Sequence, residues 1–146
     1  MSLLKGIDLE KQDGTTVKSD DAIANAQIVL LYFSAHWCPP CRGFTPVLKD
    51  FYEEVKESGD VVIIFVSSDR SAEDMKSYFT NDHGDYYAVP FSNKDTVAGL
   101  KKNCQVSGIP KLCLVDKDGN LKFGEVRGMM GNTEPKALVK ELAGRL

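Results

Sequence analysis

Several features are scarce or missing in this chain, and each absence narrows what it does. Its 146 residues hold only two histidines, His36 and His83, which form no H-x-H or H-x-x-x-H spacing. A structural zinc ordinarily takes ligands from two short-spaced Cys or His pairs. Only Cys38 and Cys41 make such a pair here, because Cys104 and Cys113 stand nine positions apart, so metal binding is the weaker expectation. No apolar run reaches membrane-spanning length, and Met1-Ser2-Leu3-Leu4-Lys5-Gly6 lacks the charged start and long apolar core of a secretory signal. Lys and Arg gather into no stripe, and a net charge of −3 with a pI near 5.4 gives no electrostatic case for nucleic acid. No repeat, low-complexity segment or Pro/Gly/Ser linker divides the sequence, which reads as one domain over residues 1–146. At 42% hydrophobic content such a chain buries about two-thirds of its unfolded surface, and no disulfide framework is needed to hold it. Four cysteines without an export signal lead us to expect a reducing compartment, cytoplasmic or nuclear.

What the chain does have is the run Trp37-Cys38-Pro39-Pro40-Cys41. Two thiols separated by two residues can open and close a disulfide without moving the fold. A purely structural bridge is disfavoured, since so short a loop removes little entropy from the unfolded chain. Pro39 and Pro40 stiffen the turn between the sulfurs, which suits repeated ring closure better than wrapping a metal. The β-type run Ile28-Val29-Leu30-Leu31-Tyr32-Phe33 precedes the motif, and Phe44, Val47, Leu48, Phe51, Tyr52 and Val55 recur after it at helical spacing. The dithiol therefore sits where a strand hands over to a helix. Free N–H groups and the positive end of the helix dipole favour an anion there, and the thiolate is the attacking form of cysteine. Position activates Cys38, whereas Cys41 lies one turn in.

The remaining pattern predicts an α/β order. A short strand is expected near Leu4 to Leu9, then a hairpin through Gln12-Asp13-Gly14, and a helix over Ala22 to Ala26 capped by Ser19-Asp20-Asp21. Strands are predicted at Ile28 to Ser34 and Val61 to Val66, with a helix from about Pro39 to Ser58 between them that Pro46 should kink. Ser71 is read as the cap of a helix bearing Met75, Tyr78 and Phe79, broken by Asp82-His83-Gly84-Asp85. A helix over Lys94 to Asn103, strands at Lys111 to Asp116 and Leu121 to Val126 joined at Asp118-Gly119, and a helix from Glu134 to about Leu142 complete the chain. In such mixed sheets reactive groups lie beyond the carboxyl ends of the strands, where Cys38 falls.

The run Tyr32-Phe33-Ser34-Ala35-His36-Trp37-Cys38-Pro39-Pro40-Cys41-Arg42-Gly43-Phe44-Thr45-Pro46 resembles the thioredoxin superfamily, and its Pro-Pro is similar to the tryparedoxin and nucleoredoxin branch. Val66-Ser67-Ser68-Asp69-Arg70-Ser71, Ala88-Val89-Pro90-Phe91 and Gly108-Ile109-Pro110 resemble further segments of that branch, so the likeness spans roughly residues 28 to 128. It implies a thioredoxin fold: a central mixed β-sheet with helices on both faces. Carried over by the resemblance, Cys38 is the nucleophile, Cys41 the resolving thiol, Ile109-Pro110 a cis pair that presents backbone to substrate, and Trp37 a cover for one side of the dithiol. Where thioredoxins proper carry a buried Asp, Tyr32 stands six residues before Cys38, which excludes a carboxylate relay there. Asp69 is the nearest alternative, with a turn or cap role set against it. Arg70 follows it where trypanosomatid tryparedoxins typically carry an acidic residue linked to trypanothione, so the resemblance leans towards nucleoredoxin. Gly84-Asp85-Tyr86-Tyr87 and Lys111 also depart from the branch pattern.

Other residues receive plainer readings. Cys113 is expected to be a buried inert thiol in a strand, and Cys104, which ends a helix where partial exposure is open, is a candidate for glutathionylation or an intermolecular bridge. His36 is read as a surface histidine, Arg42 and Arg127 as surface arginines placed to meet a substrate carboxylate, and Met129-Met130 as core or interface. The expected function is reduction of protein disulfides through a redox-active Cys38-Cys41 disulfide, with no other cofactor and with electrons from a flavoprotein thioredoxin reductase or glutathione. The alternative is a nucleoredoxin-like module that binds a signalling partner under redox control. A monomer without membrane attachment is expected.

Overall fold

The computed structural model describes residues 2–146. Its centre is the parallel pair β3 (Ile28–Ser34) and β4 (Val61–Ser67), joined over seven residue pairs from Ile28 with Val61 to Ser34 with Ser67. Every residue of both strands is buried, which is why both read as unbroken apolar runs and not as an in/out alternation. The alternation survives as a choice of face. Leu30, Tyr32, Ile63 and Phe65 enter one core layer, while Leu31, Phe33, Ile64 and Val66 enter the other. Each fully buried side chain of this size contributes roughly 1.5–3 kcal/mol of transfer free energy.

Five shorter strands extend the pair. β1 (Asp8–Glu10) and β2 (Thr16–Lys18) form the expected hairpin, β5 (Tyr87–Ala88) lies between β1 and β4, β6 (Lys111–Val115) runs antiparallel beside β3, and β7 (Leu121–Phe123) is the far edge. The seven strands follow the order β2-β1-β5-β4-β3-β6-β7. Helices α2 (Pro39–Val55), α3 (Ala72–Asp82) and α5 (Pro135–Ala143) bury Leu48, Phe51, Tyr78, Phe79 and Leu138 in the first layer. Helices α1 (Ser19–Ile23) and α4 (Lys94–Asn103) give Ile23 and Leu100 to the second. This is the thioredoxin fold, with a mixed sheet covered on both sides.

Boundaries differ from the sequence reading where side chains found other partners. The first strand begins at Asp8, not near Leu4, and Leu4 is a fully buried core residue outside any strand. Ser19 is the first residue of α1, not its cap, and its hydroxyl accepts the Ile7 N–H at 3.3 Å. Helix α2 ends at Val55, and a 3-10 turn carries the chain on to Ser58 and the left-handed Gly59. β7 stops at Phe123, with Val126–Met129 forming a 3-10 turn that buries Val126. Ser71 does cap α3, accepting the Asp74 N–H at 3.1 Å.

His83, expected only as a helix breaker, is a core residue. It is 2% exposed, its Nδ1 lies 2.6 Å from the Tyr86 hydroxyl, and its Nε2 has no hydrogen-bond partner among the described residues. The rings of Phe65 and Tyr78 stand 4.2 and 4.3 Å from it. Burial lowers its pKa to about 3, so the folded protein keeps the imidazole neutral. The unfolded chain takes up this proton below about pH 6.5, so its contribution to stability is whole above that pH and is lost as pH falls towards 3. Between pH 6.5 and 4 the wild type should lose about 3 kcal/mol more than His83→Gln, measured by urea unfolding at both pH values. Equal losses would show that another group drives the acid sensitivity.

Candidate active site

Cys38 is the N-cap of α2, with extended backbone at φ −96° and ψ 111°. Its N–H donates to the Ala35 carbonyl at 3.3 Å, and its own carbonyl accepts the Arg42 N–H at 3.1 Å. Pro39 and Pro40 occupy the first two helical positions, where fixed φ favours entry into the helix. Neither has an N–H, so the positive helix end acts on Cys38 with fewer donors than its position alone implies. The sulfur of Cys38 lies 3.8 Å from the Ile109 carbonyl oxygen. Ile109-Pro110 is cis, as the resemblance implied. Pro110 brings no N–H to this surface, and its carbonyl accepts from Arg127 Nη1 at 3.4 Å. Arg127 also lies over the Phe44 ring at 5.9 Å.

Trp37 is 47% exposed, and its indole N–H donates to the Ser68 carbonyl at 3.0 Å. The guanidinium of Arg70 sits 5.1 Å from its ring centroid, so this departure from the branch pattern holds an aromatic platform in place. Asp69 is buried, and both carboxylate oxygens are engaged: Oδ1 accepts the His36 N–H at 2.8 Å and Oδ2 the Ser67 hydroxyl at 2.7 Å. Asp69 thus ties the loop after β4 to the loop that carries Cys38. Exposed His36 packs its ring 5.4 Å from Tyr78.

Cys41 is fully buried. Burial, with a hydrogen bond to Cys38, raises its pKa to about 11. The Ser34 hydroxyl works in the opposite direction. Tyr32, in the position of the missing carboxylate, donates its hydroxyl to the Cys41 carbonyl at 3.3 Å and lies 2.7 Å from Thr45 Oγ1. Thr45 and Ser34 each lie 2.6 Å from the Tyr78 hydroxyl. Ser34, Thr45 and Tyr78 escaped the sequence reading as site residues. The available signal was a serine closing a wholly apolar strand and a threonine one turn after Cys41, beside an aromatic already assigned to the core.

One expectation is overturned. Cys104 is 1% exposed, not partly open, and packs with Cys113 in the second core layer. Its hydrogen bond to Cys113, together with burial, pushes the Cys104 thiol well up. The layer assignment also keeps this pair off the Cys38 surface. A cleft of about 660 Å³ lies along α2, lined by Val47, Asp50, Glu54, Met130 and Glu134, and includes neither Cys38 nor Cys41. Cys38, 6% exposed, reaches the surface outside that cleft.

A Thioredoxin-like family model matches residues 25–121. Nucleoredoxin of Danio rerio is 41% identical over 104 residues, which are 70% of this chain and 24% of that protein. The chain thus spans about a quarter or less of the nucleoredoxins it matches. Among solved structures, thioredoxin from Wuchereria bancrofti superposes with a TM-score of 0.84 at 47% identity, covering 99% of both chains. Tryparedoxin II from C. fasciculata gives a TM-score of 0.79 at 34% identity, over 90% of this chain and 84% of the other. A tryparedoxin II has also been solved in complex with glutathionylspermidine.

Burial and hydrogen bonding set an order of thiol reactivity. Iodoacetamide below neutral pH should label Cys38 first in the reduced, folded protein, and Cys104 and Cys113 only after denaturation. Peptide mapping by mass spectrometry checks this, and early labelling of Cys41 or Cys104 would reverse the assignment.

Proposed function

Because the chain belongs to the thioredoxin-like family, we propose that it is a thiol–disulfide oxidoreductase that reduces protein disulfides. The observation that carries this reading is the placement of Cys38, at the start of α2, with its sulfur 3.8 Å from the carbonyl of the cis Ile109-Pro110 pair. That carbonyl and the exposed Trp37 flank an open surface on which an extended substrate segment can lie beside the nucleophile. The Cys38 thiolate attacks one sulfur of the substrate disulfide, forming a mixed disulfide and releasing the other sulfur as a thiolate. Cys41 then attacks Cys38, closes the Cys38-Cys41 disulfide and frees the second substrate thiol. Two electrons pass from the dithiol to the substrate.

The ring is reopened by an external reductant, a flavoprotein thioredoxin reductase or glutathione, and no cofactor beyond the dithiol is invoked. Arg42 and Arg127 are exposed and placed to meet carboxylates of such partners. Arg70 turns positive charge towards the same rim through its contact with Trp37. No helix among the described residues is long and apolar enough to cross a membrane. A monomer acting in the cytoplasm or nucleus is consistent with this reading. The exposed Trp37 platform also fits a second use, as a surface that holds a partner under control of the dithiol, in the manner of a redox-sensitive signalling module.

Insulin reduction coupled either to NADPH and thioredoxin reductase or to glutathione and glutathione reductase tests the activity and identifies the reductant. Turnover should vanish in Cys38→Ser. Cys41→Ser should accumulate stable mixed disulfides with substrate proteins, seen on non-reducing gels, whereas Cys38→Ser should accumulate almost none. Equal trapping by the two variants would remove the assigned order. A partner interaction that survives replacement of both cysteines would favour the binding module over the reductase.

A further inference from the structure

The hydroxyl cluster beneath Cys41 is more than core packing. Ser34, Thr45, Tyr32 and Tyr78 are each at most 1% exposed, and their oxygens form a chain with steps of 2.6, 2.6 and 2.7 Å. A hydroxyl donates one proton and accepts up to two. Two complete donor orders therefore exist on the same heavy atoms. In the first, Thr45 donates to the Cys41 carbonyl at 2.9 Å and accepts from Tyr78, and Tyr78 accepts from Ser34. The only Ser34 proton is then committed to Tyr78, leaving its oxygen free to accept from a Cys41 thiol. In the second order Thr45 donates to Tyr78 and Tyr78 to Ser34, which frees the Ser34 proton for Cys41, its other side-chain hydrogen-bond neighbour. Tyr32 shares its one proton between Thr45 Oγ1 at 2.7 Å and the Cys41 carbonyl at 3.3 Å in both orders, so neither contact is left without a donor when Thr45 turns away. Nothing moves except hydroxyl hydrogens.

We propose that Ser34, Tyr78 and Thr45 form a reversible hydroxyl relay that reverses its donor direction when Cys41 becomes a thiolate, so that Ser34 solvates the attacking sulfur. The inference rests on the reading of Cys41 as the resolving thiol. Resolution converts the Cys38 mixed disulfide and the Cys41 thiol into the Cys38-Cys41 disulfide and a free substrate thiol. The proton that leaves Cys41 ends on the departing sulfur, and the relay itself carries no net proton. A buried thiolate without such a donor bears its full desolvation cost, and the raised pKa of Cys41 shows how strongly burial opposes it. Among the described residues the titratable groups facing Cys41 are Cys38 at the helix cap, Tyr32 on β3 and Tyr78 on α3. Burial raises the pKa values of Tyr32 and Tyr78, so both phenols stay protonated and the neighbourhood supplies dipoles instead of charge.

Stopped-flow reaction with one equivalent of the aryl disulfide DTNB separates the steps. Attack by Cys38 releases the first thionitrobenzoate, and attack by Cys41 releases the second at a rate independent of protein concentration. Ser34→Ala should slow the second release at least about tenfold and move its pH midpoint up by about one unit, because a hydrogen bond to an ionised sulfur is lost. Tyr78→Phe should slow it about threefold by depriving Ser34 of its donor. The double variant should be no slower than Ser34→Ala, since Tyr78 acts through Ser34. Near-UV circular dichroism confirms that each variant is folded, and if Ser34→Ala is not, Tyr78→Phe carries the test alone. Unchanged second-phase rates and midpoints, or effects that simply multiply in the double variant, would overturn the relay. A second release that persists in Cys41→Ser would instead overturn the role of Cys41 on which it rests.

Discussion

The parallel pairing of β3 with β4 is the constraint from which the rest of the site follows. Its seven rungs bring Ser34 and Ser67 side by side at one end of the sheet, so the two loops that leave these strands emerge together. Asp69 then fastens one loop to the other by accepting the His36 N–H. Trp37 adds a second tie by donating to the Ser68 carbonyl. Antiparallel pairing of β6 with β3, from Phe33 with Lys111 to Val29 with Val115, brings the start of β6 to the same end. Pro110 directly precedes that strand, so the sheet itself delivers the Ile109 carbonyl to the Cys38 sulfur. The distance between them is a property of strand register, not of a flexible loop.

A polar cluster in the same core needs its own account. Ser34, Thr45, Tyr32 and Tyr78 place four hydroxyls among Phe44, Phe65 and His83, and each finds a partner within 2.7 Å. Left unpaired, a buried hydroxyl costs about 1–3 kcal/mol, so a cluster of this kind persists only when fully satisfied. A carboxylate at position 32 would instead need a counter-charge or a raised pKa to tolerate the site. Phenol and alcohol groups avoid that penalty and still orient dipoles towards Cys41. His83 completes the wall as a neutral ring, with Nδ1 satisfied by Tyr86 and the other nitrogen left unpartnered.

Much of this was legible in the sequence, and the limits have physical causes. Continuous apolar runs located β3 and β4 to within one residue because strands buried on both faces are almost wholly apolar, their serines standing at the carboxyl ends. The dithiol was legible because its two cysteines are neighbours in the chain. The hydroxyl cluster was not, because Ser34, Thr45 and Tyr78 come from three different elements and each type is common in turns, caps and cores. Asp69 was visible as a candidate, but its partner, the His36 backbone, carries no side-chain signal. Cys104 was misplaced for a related reason: a helix-end residue looks exposed until β6 is paired beside β3, which positions Cys113 to cover it.

The same pairing separates four cysteines into two chemical fates. Leu112 and Leu114 of β6 enter the layer that holds α2, and Cys113 and Val115 between them enter the layer that holds α4. Strand alternation therefore puts Cys113 across the sheet from α2, and Cys104 joins it from the end of α4. Cys113 is turned by strand alternation to the face away from α2, and Cys104 meets it there from the end of α4. Cys38 is held at the carboxyl end of the sheet by a helix cap and faced by the Ile109 carbonyl. Amino-acid identity is the same in all four positions, and all four residues are buried. What differs is the neighbour: Cys38 meets the cis-proline loop, Cys41 meets hydroxyls, and Cys104 and Cys113 meet each other and aliphatic side chains. Sheet topology thus decides which surroundings each thiol has before any local electrostatic tuning acts, and on the proposed function tuning matters only at the carboxyl end of the sheet, where Cys38 and Cys41 lie.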